Sequence, residues 1–262
     1  MAARLPVSAP TRAPGGETAA YVIGTADALL VDPVERADDI DAALTARDAS
    51  HVAVTHHHPD HVGAVAEYAR RFDLTVWARV GRADAFAAAT GRQPDRTFTH
   101  GDSLPATPPV RVVETPGHAP EHVAFAADGE LLTGDLAVAS GSVVVGAPEG
   151  DMRAYLSSLR RLHARNPKRL LPAHGPVIEE PRATCERLLT HRLDREARVR
   201  RAVQEGVSTP DALVEAVYKK DVSDAYDLAR ATVVAHLEKL AVEGDVRWEG
   251  SRAQPADPTA GG

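Results

Sequence analysis

Thr55-His56-His57-His58-Pro59-Asp60-His61 follows directly on the apolar run His51-Val52-Ala53-Val54, and the fold is read from this junction. A short apolar run bounded by turn residues reads as a buried strand, so the polar cluster stands on the loop at its C-terminal end. Open α/β architectures gather their chemistry at that place. Within six positions the loop sets His56, His58, Asp60 and His61, the ligand types that bind a borderline cation such as zinc. A solvated loop has no reason to collect imidazoles, and a buried one would leave several without partners at ~1–3 kcal/mol each. A bound cation removes that cost by giving each nitrogen lone pair a partner.

Working outward, residues 19–24 and 28–33 read as a strand hairpin, residues 37–46 as a short helix, and residues 62–72 as a helix opening just after His61. Residues 74–78 read as a strand and 81–89 as an Ala-rich helix. Short strands follow at 97–99, 110–113, 123–126 and 131–132, with a turn at Ala127-Asp128-Gly129. A helix over 152–163 puts Tyr155, Leu156, Leu159 and Leu162 on one face, and 169–171 is the last strand. Strands and helices in this order give an α/β sandwich of two similar halves. Beyond Pro181 a long charged helix spans 182–203, with a narrow stripe of Leu188, Leu189, Leu193 and Val199. Thr209-Pro210 opens a helix at 212–218, a further helical stretch covers 222–240 with a break near Tyr226, and Val246-Arg247-Trp248 is a strand. That outline is a small winged-helix unit. The expected division is therefore 17–180, 181–250, and loosely held tails rich in Ala, Pro and Gly at 1–16 and 251–262.

Three further places offer a ligand at a strand end beside Gly or Pro: Thr115-Pro116-Gly117-His118, Leu132-Thr133-Gly134-Asp135 and Leu171-Pro172-Ala173-His174-Gly175. Singly each is weak, because a lone loop His is more often solvated than ligating. As an ordered set they resemble the metallo-β-lactamase superfamily, whose HxHxDH motif matches His56, His58, Asp60 and His61, followed by His118, Asp135 and His174. Within it the chain is most similar to the β-lactamase-like protein 2 group, neighbours of glyoxalase II that carry a C-terminal winged helix. Segments 115–122, 150–159, 191–196 and 235–240 carry that finer likeness.

The resemblance implies an αββα sandwich and a hydrolase with two divalent cations. It implies His56, His58 and His118 on one ion, Asp60, His61 and His174 on the other, and Asp135 shared, with Asp60 also catalytic. Two ions roughly 3.5–4 Å apart need such a shared anion and a bridging hydroxide, which supplies the nucleophile at neutral pH. With nitrogen and oxygen donors alone, zinc is expected first, with manganese and iron as alternatives. Val34 and Ala173 stand where the family usually has Gly, and Ala19-Ala20 replaces more polar residues; no ligand is missing. His57 is expected to point away from the ions, His122 to support a ligand, Asp32 to anchor the ligand loop, and His191 and Arg192 to lie on the surface of the long helix or at the mouth of the site. Trp77, Trp248 and Tyr155 are expected in the core.

Two substrate classes follow from the likeness: a thioester or related acyl compound, and, as the alternative, single-stranded RNA cut by an endoribonuclease. A net charge of −7 over 262 residues does not favour nucleic acid. Residues 206–250 hold nine carboxylates against five bases, wrong for a DNA-reading winged helix, so that unit is expected to wall a groove or pair two copies of the chain. Only the Arg-rich helix offers a basic strip to RNA. A lone Cys185 fits a reducing cytoplasm, and no apolar run of 18 residues predicts a membrane span. A scaffold that had kept the domain only as structure would be expected to lack a ligand.

Overall fold

A computed structural model describes residues 2–219 and 221–256, which gather into two compact units. The first comprises the chain up to Thr115 with 121–142 and 164–184; the second comprises 116–120, 143–163 and the chain from Cys185 onward.

In the first unit, six strands form one sheet in the order β1 (Ala3–Ser8), β2 (Glu17–Ile23), β3 (Leu29–Val31), β4 (His51–Ala53), β5 (Thr75–Arg79) and β6 (Arg96–Phe98). The first three pair antiparallel and β3 to β6 run parallel. A second sheet contains β7 (Ser103–Leu104), β8 (Val110–Glu114), β9 (Val123–Ala127), β10 (Glu130–Gly134) and β11 (Arg169–Pro172), in the order β11-β10-β9-β8-β7. Side chains alternate across each strand. Ala20, Val22 and Leu30 therefore join Ile40 and Leu44 of helix α1 (Asp38–Ala46), Val65 and Tyr68 of α3 (Val65–Arg71) and Phe86 of α4 (Ala83–Thr90). Their neighbours Tyr21, Ile23, Leu29 and Val31 pack with Val110, Val112, Phe125 and Leu132 of the second sheet. With both faces covered, these strands read as unbroken apolar runs.

Three expectations are corrected here. The helix after β4 does not wait for Val62: α2 (Pro59–Val62) takes Asp60 and His61 into its turn, with Pro59 in its first turn, and α3 follows separately. The N-terminal stretch is no loose tail, since residues 3–8 pair with β2 from Ala3↔Val22 to Ser8↔Glu17. Its signal is faint because only Val7 is buried and Pro6 interrupts it, which an edge strand tolerates. Ala253–Pro255 (β13) likewise pairs with β12 (Val246–Trp248); Met1 and 257–262 lie outside the described residues.

The second unit holds most of α5 (Met152–Arg165) and α6 (Pro181–Gln204), together with α7 (Pro210–Val217), α8 (Tyr226–Glu243) and the β12–β13 hairpin. Val199, Leu213, Val214, Val217, Val233, Leu237, Leu240 and Val246 form its core. Thr209 caps α7 by accepting the Ala212 N–H, and Gly244 ends α8 at φ +80. The α6 face differs from the expected stripe. Leu193 is 40% exposed, while Arg192 and Arg195 are buried at 1% and 8%. Arg192 lies over the Tyr155 ring and donates to the Val143 carbonyl, and Arg195 lies 4.5 Å over the Tyr218 ring. Tyr155 is core as expected, whereas Trp77 and Trp248 are only partly buried. Among the described residues no helix is long and apolar enough to cross a membrane.

Candidate metal centre

Six of the seven expected ligands belong to the first unit, and their second ring nitrogens and backbones are fixed from several sides. Asp32 follows β3 directly at φ +52, a left-handed position that Asp tolerates. Its buried carboxylate accepts the Thr55 N–H at 2.7 Å, the Thr55 hydroxyl at 2.8 Å and His61 Nδ1 at 3.1 Å. One anion thus ties the start of the ligand loop to its end. Because the Thr55 proton goes to Asp32, His56 Nδ1, 3.0 Å from Thr55 Oγ1, is the donor of that pair. His174 Nδ1 donates to the Glu17 carbonyl at 2.9 Å. In each ring the Nδ1 proton is committed, which makes Nε2 the nitrogen that carries the lone pair.

Those lone pairs converge with carboxylates. His61 Nε2 is buried without a hydrogen-bond partner, 3.8 Å from both Asp60 Oδ1 and Asp135 Oδ1. His174 Nε2 lies 3.3 Å from Asp135 Oδ1 and 3.7 Å from Asp60 Oδ2. Ligand atoms of Asp60, His61 and His174 fall within 4.8 Å of one another, as do those of His56, His61 and Asp135. His56 Nε2 and His58 Nδ1 are 3.0 Å apart; two nitrogens on one tetrahedral zinc at about 2.05 Å each would stand about 3.3 Å apart. A group of acceptors facing acceptors repels unless a proton or a cation sits among them. The imidazoles register that demand. Burial would depress the His61 pKa, but Asp32, Asp135 and Asp60 push it up to about 9. Burial opposes the same trend at His174, where Asp135 raises it. The donor set and the orphaned His61 Nε2 both fit a cation.

Asp135 is held by its backbone. Its N–H donates to His122 Nε2 at 3.1 Å, so His122 Nδ1 donates to Thr115 Oγ1 at 2.8 Å. His122 therefore bonds the backbone of a candidate ligand. Gly134 precedes it at φ +47, where a Cβ would stand 2.7 Å from Thr55 Oγ1. His57 turns elsewhere: its N–H donates to buried Glu121 and its ring meets Phe86 edge-on at 5.6 Å.

His118, the seventh expected ligand, lies on the segment 116–120, assigned to the second unit. There its Nδ1 donates to the Val144 carbonyl at 2.6 Å, the same commitment as in the other rings. Gly117 at φ +138 is required beside it, since a Cβ would meet the Tyr155 backbone at 2.3 Å. His191 and Arg192 also belong to that unit; His191 Nε2 accepts from Arg195, and burial, with the neighbouring guanidiniums adding to it, holds the imidazole pKa down at about 4. Thr55, Glu121 and Thr11, whose hydroxyl donates to Asp60 at 2.5 Å, were not singled out by the sequence reading, because lone Thr and Glu residues carry no spacing signal.

The chain matches the family model described as the metallo-beta-lactamase superfamily over residues 13–174, and that of the beta-lactamase associated winged helix domain over 209–254. It is 32% identical over 211 residues to a beta-lactamase-like protein 2 homolog of Drosophila melanogaster, covering 75% of this chain and 70% of that one. It is 27% identical over 232 residues to an atrochrysone carboxyl ACP thioesterase of Aspergillus fumigatus, covering 80% of this chain and 71% of the other. A solved beta-lactamase domain protein from Burkholderia ambifaria shares the fold at a TM-score of 0.82 and 22% identity, covering 97% of this chain and 91% of that one. The ordered ligand motifs, the paired sheets and these matches agree: the chain belongs to the metallo-beta-lactamase superfamily.

Proposed function

We propose that this chain is a binuclear metal-dependent hydrolase acting on a thioester or related activated acyl compound. The observation that carries the reading is the shared tautomer of the candidate ligands, with Nδ1 of His56, His61, His118 and His174 each committed to a protein acceptor. By the order of the superfamily motif, His56, His58 and His118 would hold one ion, Asp60, His61 and His174 the second, and Asp135 both. Zinc suits the donors, as do manganese and iron. Bound there, the ions would lower the pKa of a water toward ~7 and polarise the attacked carbonyl. The chain's own residues keep the imidazoles in the ligating tautomer, while Thr11 donates to the Asp60 carboxylate and His122 holds the Asp135 backbone.

Thioester specificity is supported by the thioesterase named among the relatives. The RNA alternative loses support, because two of the arginines expected on its basic strip, Arg192 and Arg195, are buried. Side-by-side turnover of a thioester panel and a labelled single-stranded RNA tests the reading, with Asp60→Ala as control. Thioester cleavage that disappears in the variant supports it. RNA cleavage without thioester cleavage would replace it.

A further inference from the structure

The edge hairpin β1–β2 has a second role beyond extending the sheet. Thr11 stands in the loop between its strands, where Ala9 N–H donates to the Gly16 carbonyl and Gly16 N–H to that of Ala13. Gly15 and Gly16 adopt φ +100 and +65, which lets the loop close tightly. Within it the Thr11 hydroxyl has both capacities fixed. Its oxygen accepts the Ala13 N–H at 3.1 Å, and its proton goes to Asp60 Oδ2 at 2.5 Å. The opposite foot of the hairpin reaches His174: the Glu17 carbonyl accepts its Nδ1, Ala19 N–H donates to the Ala173 carbonyl, and Arg4 Nη2 donates to the Gly175 carbonyl at 2.8 Å.

We propose that Thr11 is a positioning residue for Asp60, and that the β1–β2 hairpin clamps Asp60 and His174 together as an outer shell of one cation subsite. This rests on the metal reading given above. A carboxylate has two oxygens and about four lone-pair sites, and free rotation would let it present any of them. The Thr11 proton occupies one site on Oδ2 and so sets the plane of the carboxylate. Outer-shell hydrogen bonds of this kind typically carry 10–100-fold in metal affinity. In the sheet β1 lies at the edge, paired with β2.

The test compares zinc binding by the full chain, Thr11→Val and Thr11→Ser, by competition with a chromophoric chelator, with the melting temperature of each cation-free form. Val keeps the β-branched shape and removes the proton together with the acceptor of the Ala13 N–H; Ser restores both. The expected result is that Thr11→Val holds one zinc equivalent 10–100-fold more weakly while the other is unchanged, that Thr11→Ser binds as wild type, and that the cation-free melting temperatures agree. Equal affinity in Thr11→Val, or equal loss in Val and Ser, overturns the positioning role. Wild-type protein that takes up none of zinc, manganese and iron overturns the metal reading itself, which separates the two failures.

Discussion

Asp32→Asn separates the electrostatics of the centre from its backbone. Asn accepts the left-handed φ of +52 and nearly preserves volume, so the turn after β3 is retained. What changes is the set of acceptors. Asn Oδ1 can still take the Thr55 N–H, but its amide donors would face the Thr55 hydroxyl and His61 Nδ1, which both donate to Asp32. Two bonds to a charged acceptor, each worth about 1.5–3 kcal/mol, give way to neutral ones worth about 0.5–1.5 kcal/mol, so unfolding free energy should fall by about 2–3 kcal/mol. The His61 ring can recover a bond by accepting at Nδ1, which moves its proton to Nε2. In that tautomer Nε2 cannot ligate, and cation affinity should fall 10–100-fold, or about 1.4–2.7 kcal/mol. Urea unfolding of the cation-free protein and zinc competition measure the two effects independently. A variant that unfolds within ~0.5 kcal/mol of wild type and binds zinc as tightly would refute the assignment of Asp32 as the acceptor that sets the His61 tautomer.

The second unit gives a prediction in pH. Burial, with Arg192 adding to it and Glu196 opposing, holds the His236 imidazole down at about 4, against about 6.5 in an unfolded chain. Between those values the unfolded chain binds a proton the native one refuses, so stability falls as pH drops from about 6.5 toward 4, by at most about 3 kcal/mol. Replacing His236 by Leu should reduce the slope of that part of the urea-midpoint profile, leaving the share that His191 contributes; an unchanged slope would count against it. Lys239→Met leaves buried Glu196 without the ammonium that donates to it at 2.7 Å, and should cost about 3–5 kcal/mol, largely recovered in Lys239→Met with Glu196→Leu. Gly134→Ala should lower stability by about 2–5 kcal/mol, from the left-handed φ and the collision with Thr55, and calorimetric melting would show it.

The site was legible where chemistry repeats and illegible where one residue acts alone. Three His and one Asp within six positions, and a His or Asp at each of three strand ends, need no structure to be noticed. Asp32 and His122 could be suspected from their places beside those strands, and the structure gives each a bond. Thr11 could not: it is one hydroxyl in a Pro- and Gly-rich stretch that reads as a tail, and it matters because β1, with Pro6 and one buried side chain, still pairs along its whole length. Arg192 and Arg195 misled for a related reason. Helical periodicity counts charges as solvent-facing, and only the positions of Tyr155 and Tyr218 show that aromatic faces cover these guanidiniums.

Metal content tests the central claim most directly. Elemental analysis of purified, metal-replete protein beside Asp60→Ala, with thioester turnover measured on the same samples, should find close to two equivalents per wild-type chain, fewer in the variant, and turnover that falls with the lost ion. Thioester hydrolysis by a chain that contains no metal, or full turnover in Asp60→Ala, would contradict it.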